Sequence, residues 1–284
     1  MNDISYKGPK YEGQVTANIE LITPEDAKRY LANNVNNRKV SPTTVRAYAR
    51  DMVFGNWKLN GEAISFLDTG ELQNGQHRLQ AVIKSNTPTW FLVVRGVKAG
   101  SVLDKHKART TANTMQISGY DPSVRSTTVI GAVKFLYRTF LGIDKVTDNE
   151  VMSFIDKYEE EWDAAYYTSS KGASKALAKK APFTAAIFCS VVFGIPSETI
   201  DEFCTIVNTG LCDDKTKFAA VLVRNRLLEV HGTNDYERDQ IFRYTLKALR
   251  DFSKRIPREK SYRSLEKTDI EKYAEKTLFW NVNK

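Results

Sequence analysis

The sequence predicts an α+β domain followed by an all-helical one. Three observations carry this. As far as about residue 95, short apolar strand signals alternate with helix signals. Beyond about residue 111 strand signals nearly vanish and helical periodicity takes over. Between the two, Ser118-Gly119-Tyr120-Asp121-Pro122 reads as a loop. That places the boundary near 112–122 and the domains at 1–115 and 116–284. A chain of 284 residues gives both room for a core.

The elements of the first domain follow in order. Thr23-Pro24-Glu25-Asp26 is a helix start, with Thr as N-cap, Pro at the first position and carboxylates in the first turn. That helix runs to about Leu31. Residues 33–37 form an asparagine-rich, turn-prone loop. Ser41-Pro42 caps a second helix, with Val45, Tyr48, Ala49, Met52 and Val53 on one face and Gly55 closing it. Residues 63–67 are a short apolar strand, Asp68-Thr69-Gly70 a turn, and Glu71-Leu72 a second strand. Asn74-Gly75 turns the chain again. Leu79, Val82 and Ile83 recur at helical spacing, so 76–85 reads as a helix, followed by a strand at 89–95. A further short helix is expected to begin at 100–103.

In the second domain 124–141, 149–158, 160–167, 173–180, 182–193, 197–207, 214–229, 236–255 and 268–276 read as helices. Gly142, Gly194, Gly210 and Gly232 supply stop signals. Trp162, Tyr166 and Tyr167 read as core residues. No internal repeat is visible.

Composition narrows the class. Hydrophobic residues make up 42% and charged residues 27%, the balance of a soluble globular protein. No apolar run reaches the roughly 18–20 residues of a membrane span. The first residues lack a signal-peptide apolar stretch, so the cytoplasm is expected. Cys189, Cys204 and Cys212 form no CxxC pair and lack nearby histidines, which argues against disulfides and zinc. The net charge is +8 and unevenly placed. Residues 1–115 hold 16 Lys/Arg against 10 Asp/Glu, and the remaining 169 hold 26 against 24. A basic first domain implies a polyanion or a phosphorylated ligand.

Within that domain the string Asn74-Gly75-Gln76-His77-Arg78-Leu79-Gln80-Ala81 stands out. It puts a glycine-hinged turn at a helix start, where backbone N–H groups and the positive dipole end favour phosphate or carboxylate. His77 and Arg78 fall in the first turn, the wrong sign for stabilising it, which points to function. The arrangement resembles the ParB/sulfiredoxin superfamily, whose nearest variant is the DGQHR form; here Asn74 stands where Asp is usual. Asn36-Asn37-Arg38 looks like that family's early Asn-x-Arg box. Residues 55–64 resemble the stretch entering its central strand, and Asp104 to Thr110 its downstream Asp-x-x-x-x-Arg-Thr segment. Together these cover about residues 20–115 and look like a phage or prophage version.

The resemblance implies a nucleotide site. Arg78 would clamp phosphate, with Arg38, Asn60, Asn74, Gly75, Gln76 and Arg109 around the nucleotide. His77 would donate a hydrogen bond or shuttle a proton. Glu62 would act as general base or Mg²⁺ ligand. Gln76 stands where sulfiredoxins carry Cys and ParB proteins Glu, which removes thiol chemistry. Lys105 and Lys107, and separately Lys254, Arg255 and Arg258 in an aromatic-interleaved basic stretch, are candidates for nucleic-acid contact. The expected function is binding of a nucleoside triphosphate or diphosphate with Mg²⁺, with hydrolysis or phosphotransfer linked to DNA processing. A non-catalytic DNA-binding or regulatory module is the alternative, and a ParB-like nuclease a third, weakened by the absence of an evident carboxylate cluster for two metals. A homodimer stays open. No Walker-type loop, HExxH or GxSxG is present.

Overall fold

The structure, a computed structural model, describes residues 14–35, 37, 39–98, 110–170, 181–230, 234–258, 260, 262 and 266–279. The chain divides into two compact units, Met1–Lys107 and Ala108–Lys284. Among the described residues no helix is long and apolar enough to cross a membrane.

The first unit runs β1 (Thr16–Ile22), α1 (Pro24–Leu31), α2 (Pro42–Val53), β2 (Ile64–Leu67), β3 (Leu72–Asn74), α3 (Gln76–Ser85) and β4 (Thr89–Val97). The strands form one mixed sheet in the order β1-β4-β2-β3. Only β2 and β4 are parallel neighbours; the other pairs are antiparallel. Ile64, Phe66, Phe91 and Val93 from the sheet share a core with Val45, Ala49 and Met52 of α2 and Leu79, Ala81 and Val82 of α3. This core fixes both helices, and hence their N-terminal turns, relative to the β2–β3 end of the sheet.

The caps act as the sequence requires. Thr23 and Asp26 exchange side-chain to backbone hydrogen bonds, and the Ser41 hydroxyl accepts from the Thr44 N–H. The sequence reading omits β1, although Val15, Ala17, Ile19 and Leu21 alternate there with polar residues. Its inward Glu20 accepts from Arg95 of β4 and from the Tyr30 hydroxyl of α1 at 2.8 Å, which ties three elements together. Val53, expected on the apolar face of α2, is exposed, because the helix ends there and the chain turns at Gly55.

The second unit contains α4 (Thr111–Ile117), α5 (Thr127–Leu141), α6 (Asp148–Lys157), α7 (Glu159–Ser170), α8 (Ala181–Phe193), α9 (Ser197–Thr209), α10 (Phe218–Glu229), α11 (Asp235–Ser253) and α12 (Asp269–Leu278). The 214–229 helix of the sequence reading is a 3-10 turn at Lys215–Lys217 followed by α10. The expected 173–180 helix and the short helix at 100–103 lie outside the described residues, as does Gly232. α4 was not foreseen, and Met115 on it is fully buried in the second core, so the segment belongs with this unit. The helix α8 is apolar on all sides and occupies the centre. Trp162 stacks on Phe188 of α8 with ring centroids 3.8 Å apart, as a core residue should. Tyr167 departs from expectation: it is exposed, one helical position beyond half-buried Tyr166. Cys189 and Cys204 are buried, and burial pushes both thiols up.

Candidate anion-binding site

The site begins at Gly75. Its φ of +113° lies where side chains are strained, and a Cβ there would meet Ile64 Cγ1 at 2.9 Å. Only glycine lets β3 turn this sharply into α3 against β2. The helix therefore starts with no side-chain cap hydrogen bond at Gly75, and Gln76 and His77 follow in its first turn. These residues line a cavity of about 580 Å³ together with Ser41, Thr44 and Tyr48 from one face of α2. That volume lies within the roughly 300–1,000 Å³ usual for ligand pockets. The N-terminal turns of α2 and α3 thus open into one cleft, and both dipoles present their positive ends to it.

Arg78 reaches the cleft from the first turn of α3. Only 9% of it is exposed. Its two terminal nitrogens donate to main-chain carbonyls, one to Glu62 and one to Ala63 at 2.8 Å. Among the described residues no carboxylate pairs with it within ion-pair distance. Burial draws the guanidinium below its ordinary value, opposed by the charge of Glu62 and by Tyr48. An arginine remains protonated regardless. The fork therefore braces the strand entry and leaves a buried positive charge in the wall of the cleft. This modifies the clamp expected from sequence: Arg78 fixes the backbone first, and its charge faces the cavity.

His77 is set differently from expectation. The Ser41 backbone N–H donates to its Nε2 at 2.9 Å, so that nitrogen is an acceptor and the proton sits on Nδ1. The imidazole joins the start of α3 to the start of α2, and its Nε2 is not a donor toward ligand. Gln76 is buried, and its Oε1 accepts from Asn34 at 3.3 Å. Asn37 donates to Asn34 and to the Leu72 carbonyl, both at 2.6 Å, so the asparagine loop is stitched to β3 and α3.

Glu62, Asn60 and Asn74 are exposed at the rim of the cavity. The Asn60 side-chain Oδ1 accepts from the Glu62 N–H at 3.0 Å, which shapes the turn before β2. Among the described residues Glu62 is the single carboxylate that lines the cavity. Among the described residues no group of three His, Cys, Asp or Glu could hold a metal. One carboxylate suits Mg²⁺ that arrives on phosphates and keeps its waters, and does not suit a two-metal centre. Glu62, with Asn60 beside it, would be the protein's contribution to such an ion. Arg38, Lys105, Lys107 and Arg109 lie outside the described residues.

Five lining residues were not foreseen as site residues: Lys39, Ser41, Thr44, Tyr48 and Trp57. A signal existed, since 41, 44 and 48 recur on one helical face. In sequence alone, Ser41 reads as the cap and Tyr48 as part of the apolar face. Exposed Lys39 adds a second cation to the rim.

The C-terminal basic stretch is internally paired. Lys254 meets Asp269 at 3.3 Å, Arg255 meets Glu202 at 3.2 Å, and Arg258 meets fully buried Asp251 at 2.7 Å. Tyr262 also donates to Asp251. These ion pairs tie the end of α11 to the segments around it and compensate part of the charge expected to meet nucleic acid. No family model matches the chain, and no curated protein or solved structure matches it either.

Proposed function

We propose that the first unit binds a nucleoside diphosphate or triphosphate, with the phosphates at the joined starts of α2 and α3 and Mg²⁺ carried on them against Glu62. The observation that carries this is the buried guanidinium of Arg78, unpaired with any described carboxylate, in the wall of a cleft flanked by two helix N-termini. A buried cation with no carboxylate at ion-pair distance is costly, and an anionic ligand offsets that cost. The resemblance to the ParB/sulfiredoxin superfamily supports the same reading, through the NGQHR turn on which the cleft is built.

Among the described lining residues hydrolysis or phosphotransfer would have to use Glu62, the one carboxylate there, since His77 Nε2 is occupied by the Ser41 N–H. Binding therefore takes precedence over catalysis here, and the nuclease alternative loses support.

The test is calorimetric titration of ATP, CTP, GTP, ADP and pyrophosphate, with and without Mg²⁺, into wild type, Arg78→Ala and Lys39→Ala. Lys39 is exposed, so its variant retains the fold. Binding abolished in Arg78→Ala and weakened roughly threefold in Lys39→Ala supports the reading. A folded wild type that binds none of these ligands refutes it.

A further inference from the structure

Besides its polar groups, the cleft is lined by an aromatic pair. Tyr48 and Trp57 both line it. Trp57 is held edge-on by Tyr48, with centroids 5.4 Å apart, and leans on Phe91 of β4 at 5.6 Å. Two ring contacts fix the indole before any ligand arrives, so a stacking partner loses little to ordering the protein. Both rings are only half buried, an arrangement that leaves part of their surface toward the cavity.

The spacing of Ser41 and Tyr48 along α2 carries the argument. Ser41 caps α2, and Tyr48 lies seven residues further along it. At about 1.5 Å of rise per residue, that is about 10 Å along the helix axis. A ribose bearing one or more phosphates bridges such a span, with anion at the helix start and ring system at the aromatic pair. An inorganic anion or a sugar phosphate leaves the aromatic end empty.

We infer that the Tyr48–Trp57 pair is the base-binding wall of the cleft and that stacking, rather than the anionic end, gives the site its preference for nucleotides over other phosphates. This rests on the nucleotide reading above and adds the residues that select the ring. Every base has a π-face, so the wall accepts them all and favours the larger purine surface over the pyrimidine.

The test uses the full chain and ligands with one phosphate each: AMP, CMP and ribose 5-phosphate, with pyrophosphate as a probe of the anionic end alone. AMP is expected to bind more tightly than CMP, and both at least about tenfold more tightly than ribose 5-phosphate. Trp57→Leu is expected to lower AMP affinity about tenfold and to leave pyrophosphate affinity within about twofold. Trp57→Phe keeps a ring and retains binding, while the AMP-induced quenching of tryptophan fluorescence is lost. If Trp57→Leu fails to fold, the ligand series on wild type remains decisive. Equal affinity for AMP and ribose 5-phosphate overturns the inference while leaving the phosphate site standing. Equal loss of AMP and pyrophosphate in a folded Trp57→Leu also overturns it. A wild type that binds neither nucleotide nor pyrophosphate overturns both readings.

Discussion

Gly75→Ala is the sharpest perturbation of the site that the geometry offers. Two costs add. At φ +113° an alanine is strained, which costs roughly 1–3 kcal/mol. Its Cβ would also sit 2.9 Å from Ile64 Cγ1, 3.1 Å from Cγ2 and 3.2 Å from Cβ. Ile64 is fully buried in β2 and cannot swing away, so overpacking adds roughly 1–3 kcal/mol. The sum is roughly 2–6 kcal/mol. Gly70→Ala is the control, because its φ is +86° with no atom within 4 Å of an added Cβ. It carries only backbone strain, about 1–2 kcal/mol. Scanning calorimetry reads the difference: about 4–8 °C per kcal/mol for a domain of 60–100 residues. The first-unit transition is expected to fall by at least about 8 °C in Gly75→Ala and clearly less in Gly70→Ala. Equal shifts in the two variants would refute the argument that Ile64 forces glycine here.

Further expectations concern the links around and beyond the site. His77→Ala removes the acceptor for the Ser41 N–H and should destabilise the first unit by about 1 kcal/mol; nitrogen NMR of wild-type His77 should show the proton on Nδ1, and a proton on Nε2 would contradict the hydrogen bond described. Asp251 sits beside Arg250 and Arg258; burial pushes its carboxyl up, but their hydrogen bonds prevail and hold it below the ordinary carboxylate range. Because the folded value is depressed, its contribution is fully present above about pH 4, the unfolded value, and is lost as pH falls through the folded one. Asp251→Asn should remove roughly 2–3 kcal/mol at neutral pH and flatten the acid limb of the stability curve, measured by urea unfolding between pH 2 and 7. Since Lys254 and Arg255 are spent on Asp269 and Glu202, their alanine variants should leave any DNA affinity at low salt within about twofold; a tenfold loss would restore the basic stretch as a contact surface.

Much of the secondary structure was legible because it is decided within a few residues. Thr23-Pro24 and Ser41-Pro42 start helices by satisfying N–H groups three positions on, and Gly142 and Gly210 end them in the left-handed conformation. The 76–85 helix is found at the residues its periodicity indicates. The turn at Gly75 was legible for the same reason, as was the presence of ionisable side chains at a helix start.

The site was legible only in part. Glu62, Asn60, Asn74, Gly75, Gln76, His77 and Arg78 do share one cavity wall. Their roles were not readable, because a side chain's role depends on what the fold brings beside it. Arg78 meets carbonyls 15 and 16 residues upstream, and His77 meets a backbone N–H 36 residues away.

By itself, then, the sequence determined where α1, α2 and α3 begin, that Gly75 hinges the turn into α3, and that a basic, α+β first unit precedes a helical one. Tertiary structure alone decided that β1 pairs with β4, that the N-terminal turns of α2 and α3 share a cleft, that Tyr48 and Trp57 wall it, and that the C-terminal arginines face carboxylates. The physical reason is range. Caps, turns and periodicity are settled by neighbours within one or two helical turns, whereas burial, pairing and charge compensation are settled by whichever distant groups the core packing brings within about 3 Å of one another.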